Sequence, residues 1–221
     1  MVRVGAYPGT FNPPTVAHLA IAEAALEQGG LDVVHFVVSR APLGKDPSTP
    51  SFDERISVLE TVAASRPWLE VRVSEYRLIA DVAAGYDAVI MGVDKWAQVL
   101  DPVWYSGSPE ARDAVVARLP RVLIAGRDGF GTDHGTLLAA GSGPVPPVTP
   151  LVVDESHRGV SSSLVRAGHL HLMLPEAAAF DARTGAWSAP HRYRPGGVGA
   201  PTRQGDPTSL RAVHDPGPPH A

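Results

Sequence analysis

The chain contains no cysteine, which excludes disulfides, thiolate catalysis and cysteine-ligated zinc. Only two of its 19 basic residues are lysines, Lys45 and Lys95, and the formal net charge is −4. That balance argues against general, backbone-driven nucleic-acid binding, which needs a basic surface. A local basic pocket for a phosphorylated small molecule stays open. Long apolar runs are also missing: none could span a membrane, and the run in "MVRVGAYPG" is too short for a signal peptide. The expectation is a cytoplasmic protein with neither membrane nor nucleic-acid partners. Nine histidines invite a metal site. The one close pair, His169 and His171 in "HLH", diverges on a strand and on a helix alike, so no metal ligands are expected.

What is present is an ordinary globular composition, 44% hydrophobic and 19% charged over 221 residues, enough for one domain with a substantial core and a tail. Strand-like and helix-like patterns alternate. "VRVGAY", "DVVHFVVSR", "LEVRVSE", "AVIMGVD", "RVLIAG" and "PLVVDES" read as strands. A helix is expected from Thr15 to Gln28, stopped by Gly29 and Gly30. A second opens at Ser51 with Glu54 three residues on, the pattern of a capping box. Near-continuous Val/Ile/Leu strands separated by helices predict an α/β fold: a Rossmann-like, doubly wound parallel sheet of five to six strands with helices on both faces. Ligands of such folds bind beyond the carboxyl ends of the strands, where strand order reverses. The domain is expected to cover residues 1–187. Residues 188–221, dominated by Pro, Gly and Arg without a periodic apolar face, are expected to be a disordered tail.

The loop "PGTFNPPTVAH" places Thr15 at the N-cap of the first helix and His18 at its third position, neighbours on one face. Free N–H groups and the macrodipole at that helix start favour an anion. Gly9, just after the first strand, is expected to let a bulky ligand approach the backbone. Alone, this is also what a capped helix with a nearby histidine looks like. A second serine-rich helix start, "GVSSSLVRAG" (Gly159 to Gly168), offers Ser161, Ser162 and Ser163 to phosphate, with Arg166 as a fixed cationic fork.

Together these segments resemble the signatures of the nucleotidylyltransferase superfamily: Gly-x-Phe-Asp/Asn-Pro, then His or Thr, two residues and His; and, far along the chain, Ile-Ser-Ser-Thr-x-x-Arg. The resemblance implies that His18 contacts ATP phosphates and stabilises charge on the α-phosphate. It makes Thr15, Lys45 and Arg166 its catalytic companions, and puts Gly9, Thr10, Phe11 and the three serines around the nucleotide. Thr15 stands where many members carry His, and Ala17 where most carry Gly. The run "GHLHLMLPEAAAF" is similar to the family's closing Gly, apolar pair, Pro and final helix.

Within the superfamily the chain is most like bacterial nicotinate-mononucleotide adenylyltransferases. Lys45 and Arg55 match in kind their Pro-x-Lys loop and the Arg of the following helix. "GVDKWAQVLDPVWY" resembles their Gly-x-Asp stretch followed by an aromatic element, so Gly92 would admit the substrate, Asp94 hold a ribose hydroxyl and Trp104 stack on a flat acceptor base. Trp96 and Trp104 read equally well as packing residues. "LIAGRDG" resembles the family strand that ends in Arg and Gly, which makes Arg127 a substrate-binding candidate. The Tyr-Thr-x-x-Thr helix usual in that family is missing. The implied reaction is attack by an acceptor phosphate on the α-phosphate of ATP, with Mg2+ carried by the ATP phosphates. Phosphopantetheine-type adenylyl transfer and a non-catalytic nucleotide-binding module remain the alternatives, and ATP against CTP, acceptor identity and homo-oligomerisation stay open.

Overall fold

The computed structural model describes residues 1–40, 49–126 and 146–196. Six strands form one all-parallel sheet: β1 Val4–Pro8, β2 Val33–Ser39, β3 Leu69–Ser74, β4 Ala88–Gly92, β5 Arg121–Ala125 and β6 Val148–Leu151. Their spatial order is β3-β2-β1-β4-β5-β6. The chain therefore winds outward from β1 in one direction and outward from β4 in the other. The reversal lies between β1 and β4, where crossovers leave opposite faces of the sheet and open a crevice at the strand ends.

Both faces are covered, as the apolar strands require. Helices α1 (Val16–Glu27) and α2 (Phe52–Ala63) pack on one side, over Val34, Phe36, Ile90 and Leu123. Helices α3 (Ile79–Val82), α4 (Val93–Leu100) and α5 (Pro109–Val116) lie against the other, over Val89, Met91, Val122 and Ile124. In β4, Ile90 faces one layer while Val89 and Met91 face the other, the period-two alternation of a strand buried on both sides. Alanines Ala22 and Ala25 of α1 are fully buried, and their small side chains let the helix lie close to the sheet.

Helix starts follow the sequence signals. Ser51 and Glu54 form the expected capping box. The sixth strand differs: it pairs through Val148–Leu151, earlier than "PLVVDES" suggested. An edge strand tolerates Pro150 inside its pairing, whereas Val152 is 72% exposed and Asp154 already caps the turn of α6 (Glu155–Arg158). Two further helices follow, α7 (Ser162–Arg166) and α8 (Pro175–Thr184).

The segment after Ser188, expected to lie outside the domain, is packed onto it as far as the described residues reach. Asp181 accepts backbone N–H bonds from Trp187 and Ser188, and Tyr193 is 6% exposed, with its hydroxyl donating to Glu54. Single aromatic anchors hold this segment, so no periodic pattern announces it. Residues 197–221 lie outside the described part.

On the outer part of the sheet, His35 of β2 contacts Tyr86 through Nδ1 (3.0 Å) and Glu70 through Nε2 (3.3 Å). Its pKa is lowered from 6.5, first by burial and then by Arg72, against the pull of Glu70. Below pH 6.5 the unfolded chain takes up a proton that the folded chain resists, so His35's contribution is fully present above pH 6.5 and is lost as the pH falls through its folded value. Urea unfolding of the wild type should show stability falling below pH 6.5, and His35→Gln should flatten that slope by up to about 1.4 kcal/mol per pH unit. An identical slope in the variant would assign the loss to other histidines.

Candidate functional site

The loop from Gly9 to Thr15 lies at the end of β1, in the crevice between the two halves of the sheet. Two adjacent prolines, Pro13 and Pro14, remove backbone donors from it, so its carbonyls must find donors elsewhere. They find them far along the chain. Arg55 donates to Thr10 O (3.0 Å), Arg166 to Asn12 O, Ser162 Oγ to Pro13 O (2.7 Å) and the backbone N–H of Leu174 to Pro14 O (3.1 Å). The two sequence motifs are thus in direct contact.

Within the loop, Phe11 adopts φ 45°, the left-handed region that costs a non-glycine residue strain. Packing offsets that cost: its ring is 1% exposed, stacks on Phe36 at 4.4 Å and meets Tyr7 edge-on. The same ring folds back over Gly9, where a Cβ would stand 2.8 Å from it. A side chain at Gly9 would therefore collide with Phe11 itself. At Gly92 a Cβ would meet Asp94 Oδ1 at 2.7 Å, the tip of a side chain that can turn away.

The His18 ring packs against Phe11 at 5.0 Å, and its Nδ1 lies 3.0 Å from the backbone N of Thr15 and 2.9 Å from Thr15 Oγ1. A backbone N–H can only donate, so Nδ1 must accept, which assigns the ring proton to Nε2. Thr15 is fully buried and acts on the ring from behind. The imidazole thus stands in the place of the Glu or Gln of an ordinary capping box.

Around this loop lies a cleft of about 620 Å³. It is lined by His18, Thr15, Ala17, Gly9, Thr10 and Phe11 from the first motif, by Ser161, Ser162, Ser163 and Arg166 from the second, and by Gly92 and Asp94 at the end of β4. The serines are not three equivalent hydroxyls. Ser161 Oγ caps α7 by accepting from Leu164 N–H, Ser162 ties α7 to Pro13, and Ser163 Oγ accepts from Arg166. The methyl of Ala17 forms part of the cleft wall.

A second, smaller cleft of about 140 Å³ adjoins the first. Its walls are mainly apolar, with Val37, Leu78, Ile79, Val82 and Val99, and Trp104, 42% exposed, stands on its edge. Pro8, Gly9, Thr10 and Lys95 border both clefts. Trp96, by contrast, is 1% exposed and belongs to the core.

Arg55, expected to hold substrate, lines neither cleft. It is 3% exposed beneath the loop, with its guanidinium 5.4 Å from the Phe52 ring, and burial lowers its pKa. Its contact is with the Thr10 carbonyl, which makes it a support for the loop. Lys45 and Arg127 lie outside the described residues. Among the described residues no group of three or more His, Asp or Glu is placed to hold a metal ion.

Sequence reasoning passed over several residues that line these clefts. Lys95 had drawn notice only for its rarity, and Arg77 none, because isolated cations carry no spacing signal. Asn12 had been read only as one letter of the motif. Trp187, His157 and Arg158 had no motif to mark them, and only the fold brings them to the cleft.

A Cytidylyltransferase-like family model matches residues 6–168. A probable nicotinate-nucleotide adenylyltransferase of Bordetella avium is 28% identical over 192 residues, covering 81% of this chain and 94% of that protein. One of the same name from Oceanobacillus iheyensis is 32% identical over 77 residues, 35% of this chain and 40% of that protein. The chain spans about two fifths of the length of this relative and of several others of that name. The solved structure of Plasmodium falciparum nicotinic acid mononucleotide adenylyltransferase complexed with APC has a TM-score of 0.60 at 14% identity, covering 85% of this chain and 98% of that one, which shows a shared fold. The family match runs from the middle of β1 to the glycine that follows α7, taking in both motifs, and the chain belongs to the Cytidylyltransferase-like family.

Proposed function

We propose that the chain transfers a nucleotidyl group from ATP to the phosphate of nicotinate mononucleotide, giving the dinucleotide and pyrophosphate. The observation that carries this reading is the pair of adjoining clefts at the β1/β4 reversal: one polar and rich in phosphate-type donors, one apolar with a tryptophan at its edge, meeting at Gly9, Thr10 and Lys95. The names of the relatives, nicotinate-nucleotide adenylyltransferases, support the same acceptor.

In this reading the triphosphate occupies the larger cleft and the acceptor the smaller. An oxygen of the acceptor phosphate attacks the α-phosphorus in line. The new P–O bond forms as the bond to the bridging α,β-oxygen breaks, and pyrophosphate leaves with that electron pair. No covalent intermediate is required, so the chain contributes positioning and charge stabilisation. His18 Nε2–H is a pre-oriented donor for charge developing on the α-phosphate. Arg166, which lines the same cleft, supplies a fixed cation, while Lys95 borders both clefts, where the two phosphates would meet. Lys95 Nζ also donates to Gln98 Oε1 at 2.7 Å, which holds it toward the smaller cleft. Mg2+ bound to the triphosphate would supply Lewis-acid neutralisation of its oxygens. Among the described residues no carboxylate group is placed to cage it.

The smaller cleft supports an aromatic acid as acceptor. A flat ring fits between apolar walls beside Trp104, and Arg77 borders this cleft alone, whereas Lys95 borders both. A cation at each of these positions suits an acceptor that carries a carboxylate as well as a phosphate. The buried methyl of Ala17 in the cleft wall favours a second reading, a chain that binds ATP without turning it over. Pyrophosphate release with nicotinate mononucleotide, nicotinamide mononucleotide, phosphopantetheine and glycerol phosphate decides between them. Release with the first is expected. Release with none, alongside ATP binding, would establish the second reading.

His18→Ala should lower kcat by ~10²–10³ in that assay, the usual loss for one pre-organised donor; near-normal turnover would remove His18 from the mechanism. Arg77→Gln should raise KM for nicotinate mononucleotide by about 10-fold or more, the scale of a lost charge-assisted hydrogen bond, and leave KM for the amide within about threefold. An equal change for both acceptors would show that Arg77 does not read the carboxylate.

A further inference from the structure

The segment that follows α8 lines the larger cleft and is bonded to the signature loop and to the start of α2. Trp187 Nε1–H donates to Asn12 Oδ1 at 2.6 Å, and Asn12 Nδ2 donates onward to the carbonyl of Thr49 at 3.1 Å. Both side chains in that first bond are buried, Trp187 to 4% and Asn12 to 7% exposure. The Asn12 carbonyl is at the same time the acceptor for Arg166. One asparagine therefore ties together the signature loop, the cation of the second motif, the Thr49 carbonyl ahead of α2, and the C-terminal segment. Farther along, the Tyr193 hydroxyl donates to Glu54 and accepts the Ser51 N–H at 3.2 Å, at the first turn of α2. Asp181, 5% exposed, holds the start of the segment through Trp187 N–H (2.7 Å) and Ser188 N–H (3.0 Å). Ala186, Trp187 and Pro190 complete the cleft wall.

We infer that residues 185–196 act as a strap that sets the geometry of the phosphate-facing loop, with Trp187 as a positioning residue that works through Asn12. An asparagine amide can turn over, exchanging its donor and acceptor ends. The Trp187 indole, which can only donate, admits one orientation, and that orientation directs Nδ2 to Thr49 O. Without the indole N–H, Asn12 Oδ1 is buried with no donor from this side, a state that destabilises the arrangement far more than the bond itself stabilises it. The loop then populates its binding geometry less often, and apparent affinity for a ligand of the loop falls by the same fraction. The inference rests on the proposed reading only in that ATP is taken as the ligand of the larger cleft.

The test is magnesium–ATP affinity by titration calorimetry on the full chain, a readout that needs no turnover. Trp187→Phe, which keeps an aromatic ring against Phe180, should weaken binding by about tenfold. Combined with Asn12→Ala, it should add nothing to the loss caused by Asn12→Ala alone, because the two residues act as one unit. A merely structural tryptophan would lower the urea midpoint and leave the two losses additive. Should Trp187→Phe fail to fold, Tyr193→Phe, which removes only a hydroxyl, should weaken ATP by about threefold. Wild-type affinity in the folded variant, or additivity in the double variant, overturns the strap. A wild type that binds ATP but transfers to no acceptor overturns the transfer reading and leaves the strap to be decided by these affinities; one that binds no ATP overturns both.

Discussion

The need to satisfy the carbonyls of one proline-rich loop governs much of this molecule. A segment with one glycine and two adjacent prolines at the end of β1 cannot pair its backbone regularly, yet it lies where the crevice of the sheet opens and its residues are largely buried. Its four acceptors at Thr10, Asn12, Pro13 and Pro14 are met by Arg55, Arg166, Ser162 and the backbone of Leu174. Those donors come from α2, α7 and the start of α8, so each of these elements must dock for the loop to hold its shape. Buried carbonyls without donors are costly, and the loop is thereby coupled to the docking of half the chain.

The coupling explains why residues with phosphate-binding chemistry are partly engaged with one another. Ser162 and Arg166 both contact the first motif, and Thr15 spends its hydroxyl and its N–H on His18. What this achieves is orientation: the His18 proton is assigned to Nε2, and Arg166 is held by two acceptors, Asn12 O and Ser163 Oγ. Pre-orientation is what a reaction without a covalent intermediate has to gain from a protein, since only groups already aimed at the developing charge lower the barrier. Arg55 contributes at one remove, as a buried cation stabilising the loop from below.

The strongest sequence signals were those written in consecutive residues. The Thr15–His18 helix start, the Ser51–Glu54 capping box and the apolar strands each depend on spacing within one element, and all but the sixth strand appear in the structure at those residues. The signals that failed or were missing depend on contacts between elements. The C-terminal strap could not be seen, because Trp187 and Tyr193 are single anchors in a stretch whose composition otherwise resembles disorder.

The sequence by itself determined the parallel α/β architecture, because strand and helix periodicities and their alternation are local properties of the chain. It also determined which two segments carry phosphate-type donors. The tertiary structure alone decided that the two segments touch, that Lys95 stands between two clefts while Arg55 stands in neither, and that Trp187 closes on Asn12. Those are outcomes of strand order and of which buried acceptor each donor can reach, and neither is encoded in the spacing of residues along the chain.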